Sequence, residues 1–125
     1  MRNQIAIIDD NKIFSSTISH VVEQLGYQPL VCDGGFESLT VVEEHKDSIK
    51  AVLLDIYMPC IDGISVLGHF RATYPNMPVI MVSGAQESEE YQKNAEKLGA
   101  IGYIRKPFDP ATIKDTLSDY LNAIS

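Results

Sequence analysis

Four apolar runs in this chain lead into groups that can do chemistry. IAII (5–8) runs into Asp9-Asp10, AVLL (51–54) into Asp55, VIMV (79–82) into Ser83, and IGYI (101–104) is followed by Arg105-Lys106. Together these supply three carboxylates, a hydroxyl and an ammonium. If they meet, the carboxylates repel: at an effective dielectric of about 20 and a separation of ~4 Å, each pair costs on the order of 4 kcal/mol. That is comparable to the ~5–15 kcal/mol that holds a whole domain folded. Either one acid takes a proton or a cation binds. Oxygen ligands without clustered His or Cys select a hard ion, Mg²⁺ or Mn²⁺. An Mg²⁺ site with few protein ligands also leaves room for waters and a phosphate.

The elements that must gather these groups follow from two alternating patterns. Short β-branched runs occur at IAII (5–8), YQPLVC (27–32), AVLLDI (51–56), VIMVS (79–83) and IGYI (101–104). Between them the apolar residues take helical spacing. Phe14, Ile18, Val21, Val22 and Leu25 make one stripe, and Ile113, Leu117, Tyr120, Leu121 and Ile124 another. Phe36, Leu39 and Val42 make a shorter one, as do Ile64, Val66, Leu67 and Phe70; the fourth helix has only Tyr91, Ala95 and Leu98. Gly26 and Gly99 read as helix stops, Ser88 as a start, and Asp109-Pro110 as a cap followed by proline at the first helical position. One of Asp9 and Asp10 is expected to cap the first helix, and Asp62-Gly63 to turn and start the third.

Five strands alternating with helices predict an α/β fold of the (βα)₅ type, a parallel sheet with helices on both faces. AVLL and VIMV, apolar throughout, suit central strands; Pro29 places YQPLVC at an edge. In such sheets the crevice lies beyond the carboxyl ends of the strands, where all the reactive groups fall. A chain of 125 residues suits one domain, 1–125, with enough apolar content (45%) for a core.

Composition and motifs exclude several classes. A net charge of −7, with Arg105-Lys106 as the basic pair, argues against direct nucleic-acid binding. No run approaches the ~20 apolar residues of a membrane span, and MRNQIAIIDDNK does not read as a signal peptide. Cys32 and Cys60 form no C-x-x-C, and two thiols of this kind fit a reducing compartment, so a cytoplasmic protein is expected. His20, His45 and His69 share no ligand spacing. A dinucleotide or flavin site needs a phosphate-cradling loop after the first strand, but that position reads DDNK.

In order and at these spacings, IAIIDDN, DIYMPCIDG, MVSGA and YIRKPFDP resemble the receiver domain of bacterial two-component response regulators. DIYMPCIDG is similar to the D-x-x-M-P-x-x-D-G signature around that family's phosphoacceptor. The resemblance covers the whole chain and implies a flavodoxin-like sheet of order 2-1-3-4-5. It implies Asp55 as phosphoacceptor and Mg²⁺ held by Asp10 and Asp55, by Asp9 through water and by the Tyr57 backbone carbonyl. It further implies Lys106 and Ser83 on phosphoryl oxygens, and Ser83 with Tyr103 as the switch pair. Lys106-Pro107 would carry a cis peptide.

The implied function is a phosphorylation-activated signalling switch, not an enzyme acting on other substrates. Its phosphodonor would be a sensor histidine kinase or a histidine phosphotransfer protein. Its output, to an unidentified effector or output domain, would run through the fourth helix, fifth strand and fifth helix, a surface that in this family also supports homodimers. Lys93, Lys97, Arg105 and Lys114 are the cations that could face a partner's acids there. Ser15, Ser16 and Ser19 keep one face of the first helix small, a seat for a partner helix, with Ile13 or Phe14 as an exposed anchor unless both are core.

Plainer readings are a capping role for the paired acids, a solvated Lys106 and a core Tyr103. A haloacid-dehalogenase-type phosphohydrolase would need a second Asp where this chain has Tyr57. A degenerate receiver would have lost an acid or the Lys, and all are present. Tyr57 and Ala85 fall where the family borders the hydrolytic water's path, and neither is an acid or amide that could orient that water. Slow autodephosphorylation is therefore expected; a phosphorylated form that decays within a few seconds at room temperature contradicts it.

Overall fold

The computed structural model describes residues 2–56, 58, 61–83, 89–105 and 109–124. Within them five strands alternate with five helices: β1 (Gln4–Ile8), α1 (Lys12–Gln24), β2 (Gln28–Cys32), α2 (Gly35–His45), β3 (Ile49–Asp55), α3 (Gly63–Thr73), β4 (Val79–Ser83), α4 (Glu89–Lys97), β5 (Gly102–Arg105) and α5 (Pro110–Ala123). All neighbouring strands pair in parallel, in the order β2-β1-β3-β4-β5. This is the predicted (βα)₅ flavodoxin-like fold, with Pro29 on an edge strand as expected.

Strand periodicity divides the core into two layers. Ala6, Ile8, Val52, Leu54, Val79 and Met81 point to the face covered by Val42 of α2, Val66, Leu67 and Phe70 of α3, and Ala95 of α4. The alternate residues Ile5, Ile7, Ala51, Leu53, Ile80 and Val82 point to Ile18, Val21 and Val22 of α1 and to Ile113, Leu117 and Leu121 of α5. Because β1, β3 and β4 are covered on both faces, their sequences read as unbroken apolar runs rather than alternating ones. The helix stops behave as read: Gly26 and Gly99 take φ of +90° and +99°, a region that favours residues without a Cβ. The Tyr74 hydroxyl donates to Glu43, tying the end of α3 to α2.

Four local expectations are corrected. Neither Asp9 nor Asp10 caps α1; Asn11 does, its Oδ1 accepting from the N–H groups of Ile13 (3.0 Å) and Phe14 (3.1 Å). Ser15 is not on the surface of α1 but buried, its hydroxyl donating to the Asn11 carbonyl at 3.0 Å. Phe36 is 59% exposed, and α2 instead buries Gly35, Ser38 and Val42. The cause is close packing: a Cβ on Gly35 would run into Ile61, so this face must turn inward, and Phe36 is carried outward by one helical step. The apolar stripe of α4 is thinner than expected, because only Ala95 is buried and Leu98 is 41% exposed. Ser88 and Cys60 lie outside the described residues.

Cys32 ends β2 fully buried, and burial first, then Glu37 and Asp33, push its thiol from 9.0 up to about 12. The unfolded chain therefore deprotonates first, so this group's contribution to stability is complete below pH 9.0 and is lost as pH rises toward about 12. In a Cys60→Ser background, Cys32 should resist alkylation in the native protein at about pH 8 and react once denatured; rapid native labelling contradicts this environment.

Candidate functional site

The strand order sets the site. The chain steps from β1 outward to β2, then crosses back to β3 and proceeds to β4 and β5. Successive connections thus part company between β1 and β3, the point where open α/β sheets leave a crevice at the carboxyl ends of their strands. Ile8 pairs with Leu54 in this register, so Asp9 and Asp55 emerge side by side from neighbouring strands.

Carboxylate oxygens of Asp9, Asp10 and Asp55 all lie within 4.8 Å of one another. Asp9 and Asp55 are 2% and 5% exposed, whereas Asp10 is open to solvent. Asp9 Oδ1 accepts the Asn11 N–H at 2.8 Å, which orients the acid and links it to the residue that caps α1. The Asp9 N–H in turn donates to the Cys32 carbonyl at 3.2 Å, extending the β1–β2 ladder to the site.

Asp55 is fixed from both sides of its strand. Val82 is its partner across β4, and the Ile56 N–H donates to the Val82 carbonyl at 3.0 Å. The Gly63 N–H then donates to the Ile56 carbonyl at 2.6 Å, drawing the start of α3 against β3. A Cβ on Gly63 would strike the Asp55 carbonyl oxygen and the Ile56 Cα, so glycine is needed here for close approach. Asp62 caps α3, its Oδ1 accepting the Ser65 N–H at 2.8 Å, as the turn-and-start reading expected.

Ser83 follows Val82 on β4 and is 1% exposed; its hydroxyl has no hydrogen-bond partner among the described residues. On the neighbouring strand Ser83 pairs with Arg105 and Met81 with Tyr103. Tyr103 is half-buried with its hydroxyl buried and likewise unpartnered among the described residues. The Arg105 guanidinium sits 5.8 Å from the Tyr103 ring centroid and donates to Gln92 Oε1 of α4 at 3.1 Å.

Of the residues singled out from sequence, the structure brings Asp9, Asp10 and Asp55 together and places Ser83 and Tyr103 on the adjoining strands. Tyr57, Ala85 and Lys106, with Pro107, lie outside the described residues. On α1 the choice between Ile13 and Phe14 resolves clearly: Ile13 is 82% exposed, while Phe14 packs against the α1–α5 layer. Sequence reasoning missed Asn11, Gln92 and the close approach of Gly63 to β3. Asn11 was findable, since Asn leads the N-cap preference; the other two depend on contacts between distant segments.

The comparisons agree with this geometry. The family model for the response regulator receiver domain matches residues 5–118. Sporulation initiation phosphotransferase F of Bacillus subtilis (strain 168) is 31% identical over 121 residues, covering 97% of this chain and 95% of that protein. Chemotaxis protein CheY of Halobacterium salinarum is 29% identical over 123 residues, covering 98% of this chain and all of that protein (100%). Among solved structures, a response regulator receiver domain protein from Clostridium thermocellum superimposes with a TM-score of 0.86 at 28% identity, covering 96% of this chain and 94% of that one. A two-component system response regulator/GGDEF domain protein gives a TM-score of 0.87 at 26% identity, but this chain covers only 50% of it. Sequence, fold and the acidic crevice thus agree, and the chain belongs to the receiver domain family of two-component response regulators.

Proposed function

We propose that this receiver is a phosphorylation-activated switch with Asp55 as its phosphoacceptor. The observation that carries the reading is the meeting of Asp9, Asp10 and Asp55 at the β1/β3 mouth. Of the three, Asp55 alone ends the fully covered central strand β3, and Ser83 stands one position beyond its β4 partner. A nucleophile gains from such rigid placement, because proximity and orientation supply much of a displacement's rate.

The donor would be a phosphohistidine of a sensor kinase or phosphotransfer protein. An Asp55 carboxylate oxygen attacks phosphorus; the O–P bond forms as the N–P bond breaks, and the electron pair leaves with the imidazole. Asp10 and Asp55 would hold Mg²⁺ directly, with Asp9 through water and the Tyr57 carbonyl completing the protein's share. The donor set fits, being all oxygen, closely gathered and partly open at Asp10. When bound, Mg²⁺ offsets the charge of the carboxylates and of the phosphoryl oxygens. Lys106 would pair with one phosphoryl oxygen as a point charge, and Ser83 Oγ–H would donate to another. Ile13 of α1, exposed beside this mouth, is the apolar anchor for the donor's helix.

The response would run through Ser83, which moves toward the phosphoryl group, and Tyr103, whose ring turns inward behind it, to α4, β5 and α5. The thin anchoring of α4, with Ala95 as its one buried residue, makes it the element that moves most readily. The same surface is where an output domain, an effector or a second copy would read the state. The protein is accordingly a switch whose only chemistry is gain and loss of its own phosphoryl group, acting in the cytoplasm.

Two outcomes are expected. Beryllofluoride with Mg²⁺ should shift the backbone amide resonances of α4, β5 and α5 in the native protein and leave Asp55→Ala unchanged; a silent native protein, or an equal response in Asp55→Ala, refutes the assignment. Asp10→Asn removes one of three repelling charges, so without metal it should melt several degrees above the native protein, while losing the stabilisation that Mg²⁺ confers. A lower melting temperature without metal contradicts the repulsion argument.

A further inference from the structure

β5 is the outer strand of the sheet, and an outer strand carries backbone groups with no neighbour to pair them. One of these is the Tyr103 N–H. It donates to the hydroxyl of Tyr120, on α5, at 3.2 Å. The approach requires Gly102: a Cβ there would collide with the Tyr120 ring. Tyr103 is therefore gripped twice. Tyr120 holds its backbone from α5. Arg105 lies 5.8 Å from its ring centroid and is itself bonded to Gln92 on α4.

The ring so held points its hydroxyl into the protein, where it is buried without a partner among the described residues. Among the described residues, the contacts that hold the ring and its strand are those of Arg105, Tyr120 and β4. The Tyr120 bond adds to the β4 pairing on the other side in fixing the strand from which the ring turns.

We propose that Tyr120 is a positioning residue for the switch, holding the β5 backbone so that the Tyr103 ring stays inward. The inference rests on the functional reading above, in which the inward ring accompanies the phosphorylated state. A ligand that favours the inward state binds more weakly when that state is rarer, by the same factor as the population shift. Loss of the Tyr120 hydroxyl should therefore weaken phosphoryl-analogue binding without touching the acidic crevice.

The test is a beryllofluoride titration with Mg²⁺ of native protein, Tyr120→Phe, Tyr103→Ala and the double variant, with hydrogen exchange of the Tyr103 amide. Tyr120→Phe should raise half-saturation by up to about fivefold, the order of one neutral hydrogen bond. It should also speed exchange at Tyr103 while the amides of β1 stay protected. In the Tyr103→Ala background the Tyr120→Phe shift should vanish, which a merely structural role would not produce. Gly102→Ala, which displaces the ring but keeps the hydroxyl, should weaken binding in the same direction. If the native protein responds and Tyr120→Phe binds equally well, or its shift persists without the Tyr103 ring, this inference falls alone. If the native protein gives no response, the functional reading falls and takes this inference with it.

Discussion

Like charge at the β1/β3 mouth is the constraint on which the rest of the structure depends. Asp9 and Asp55 are nearly buried and share with Asp10 a space in which all three carboxylates lie within 4.8 Å of one another. An arrangement that repels itself persists only if the scaffold over-determines it. Here the scaffold is two central strands apolar on both faces, so neither can slip or turn to release its acid. The capping of α1 by Asn11 and the close approach of Gly63 to β3 add local restraint on each side. That repulsion is what a hard cation would relieve, which would couple metal affinity to stability.

Stability and function are divided along the sheet. The β1–β3–β4 centre is packed on both sides, with Phe70 and a group of Ile and Leu side chains fully buried. Toward β5 the packing thins: α4 buries Ala95, and two buried hydroxyls, on Ser83 and Tyr103, have no partner among the described residues. The rigid half holds the three carboxylates in place, and in the proposed mechanism the more thinly packed half is the one that rearranges. In the proposed mechanism Ser83 joins them, since it ends the covered strand β4 and pairs with Arg105 of β5.

Much of this was legible in the sequence, for identifiable reasons. Unbroken apolar runs such as AVLL and VIMV mark strands covered on both faces, and their ends place Asp55 and Ser83 at one edge. The D-x-x-M-P-x-x-D-G pattern carried the family resemblance, and Gly26, Gly99 and Asp109-Pro110 fixed helix ends correctly. What failed was local choice among similar residues. Asn11 rather than a neighbouring Asp caps α1, and three-residue spacing put Phe36 on the wrong face of α2 because the contact of Gly35 with Ile61 spans the fold. The grip on Tyr103 was not legible at all, because Gln92 reaches Arg105, and Tyr120 reaches the Tyr103 backbone, only after α4 and α5 dock beside β5.

The central claim is that this crevice makes Asp55 a phosphoryl acceptor. The most direct measurement is covalent. The protein is treated with acetyl phosphate and Mg²⁺, then reduced with borohydride, which converts an aspartyl phosphate to homoserine, and the peptides are mapped by mass spectrometry. The account predicts homoserine at position 55 and at no other acid, dependent on the metal. Unmodified Asp55 in protein that has remained folded, or modification at Asp9 or Asp10 instead, would contradict it.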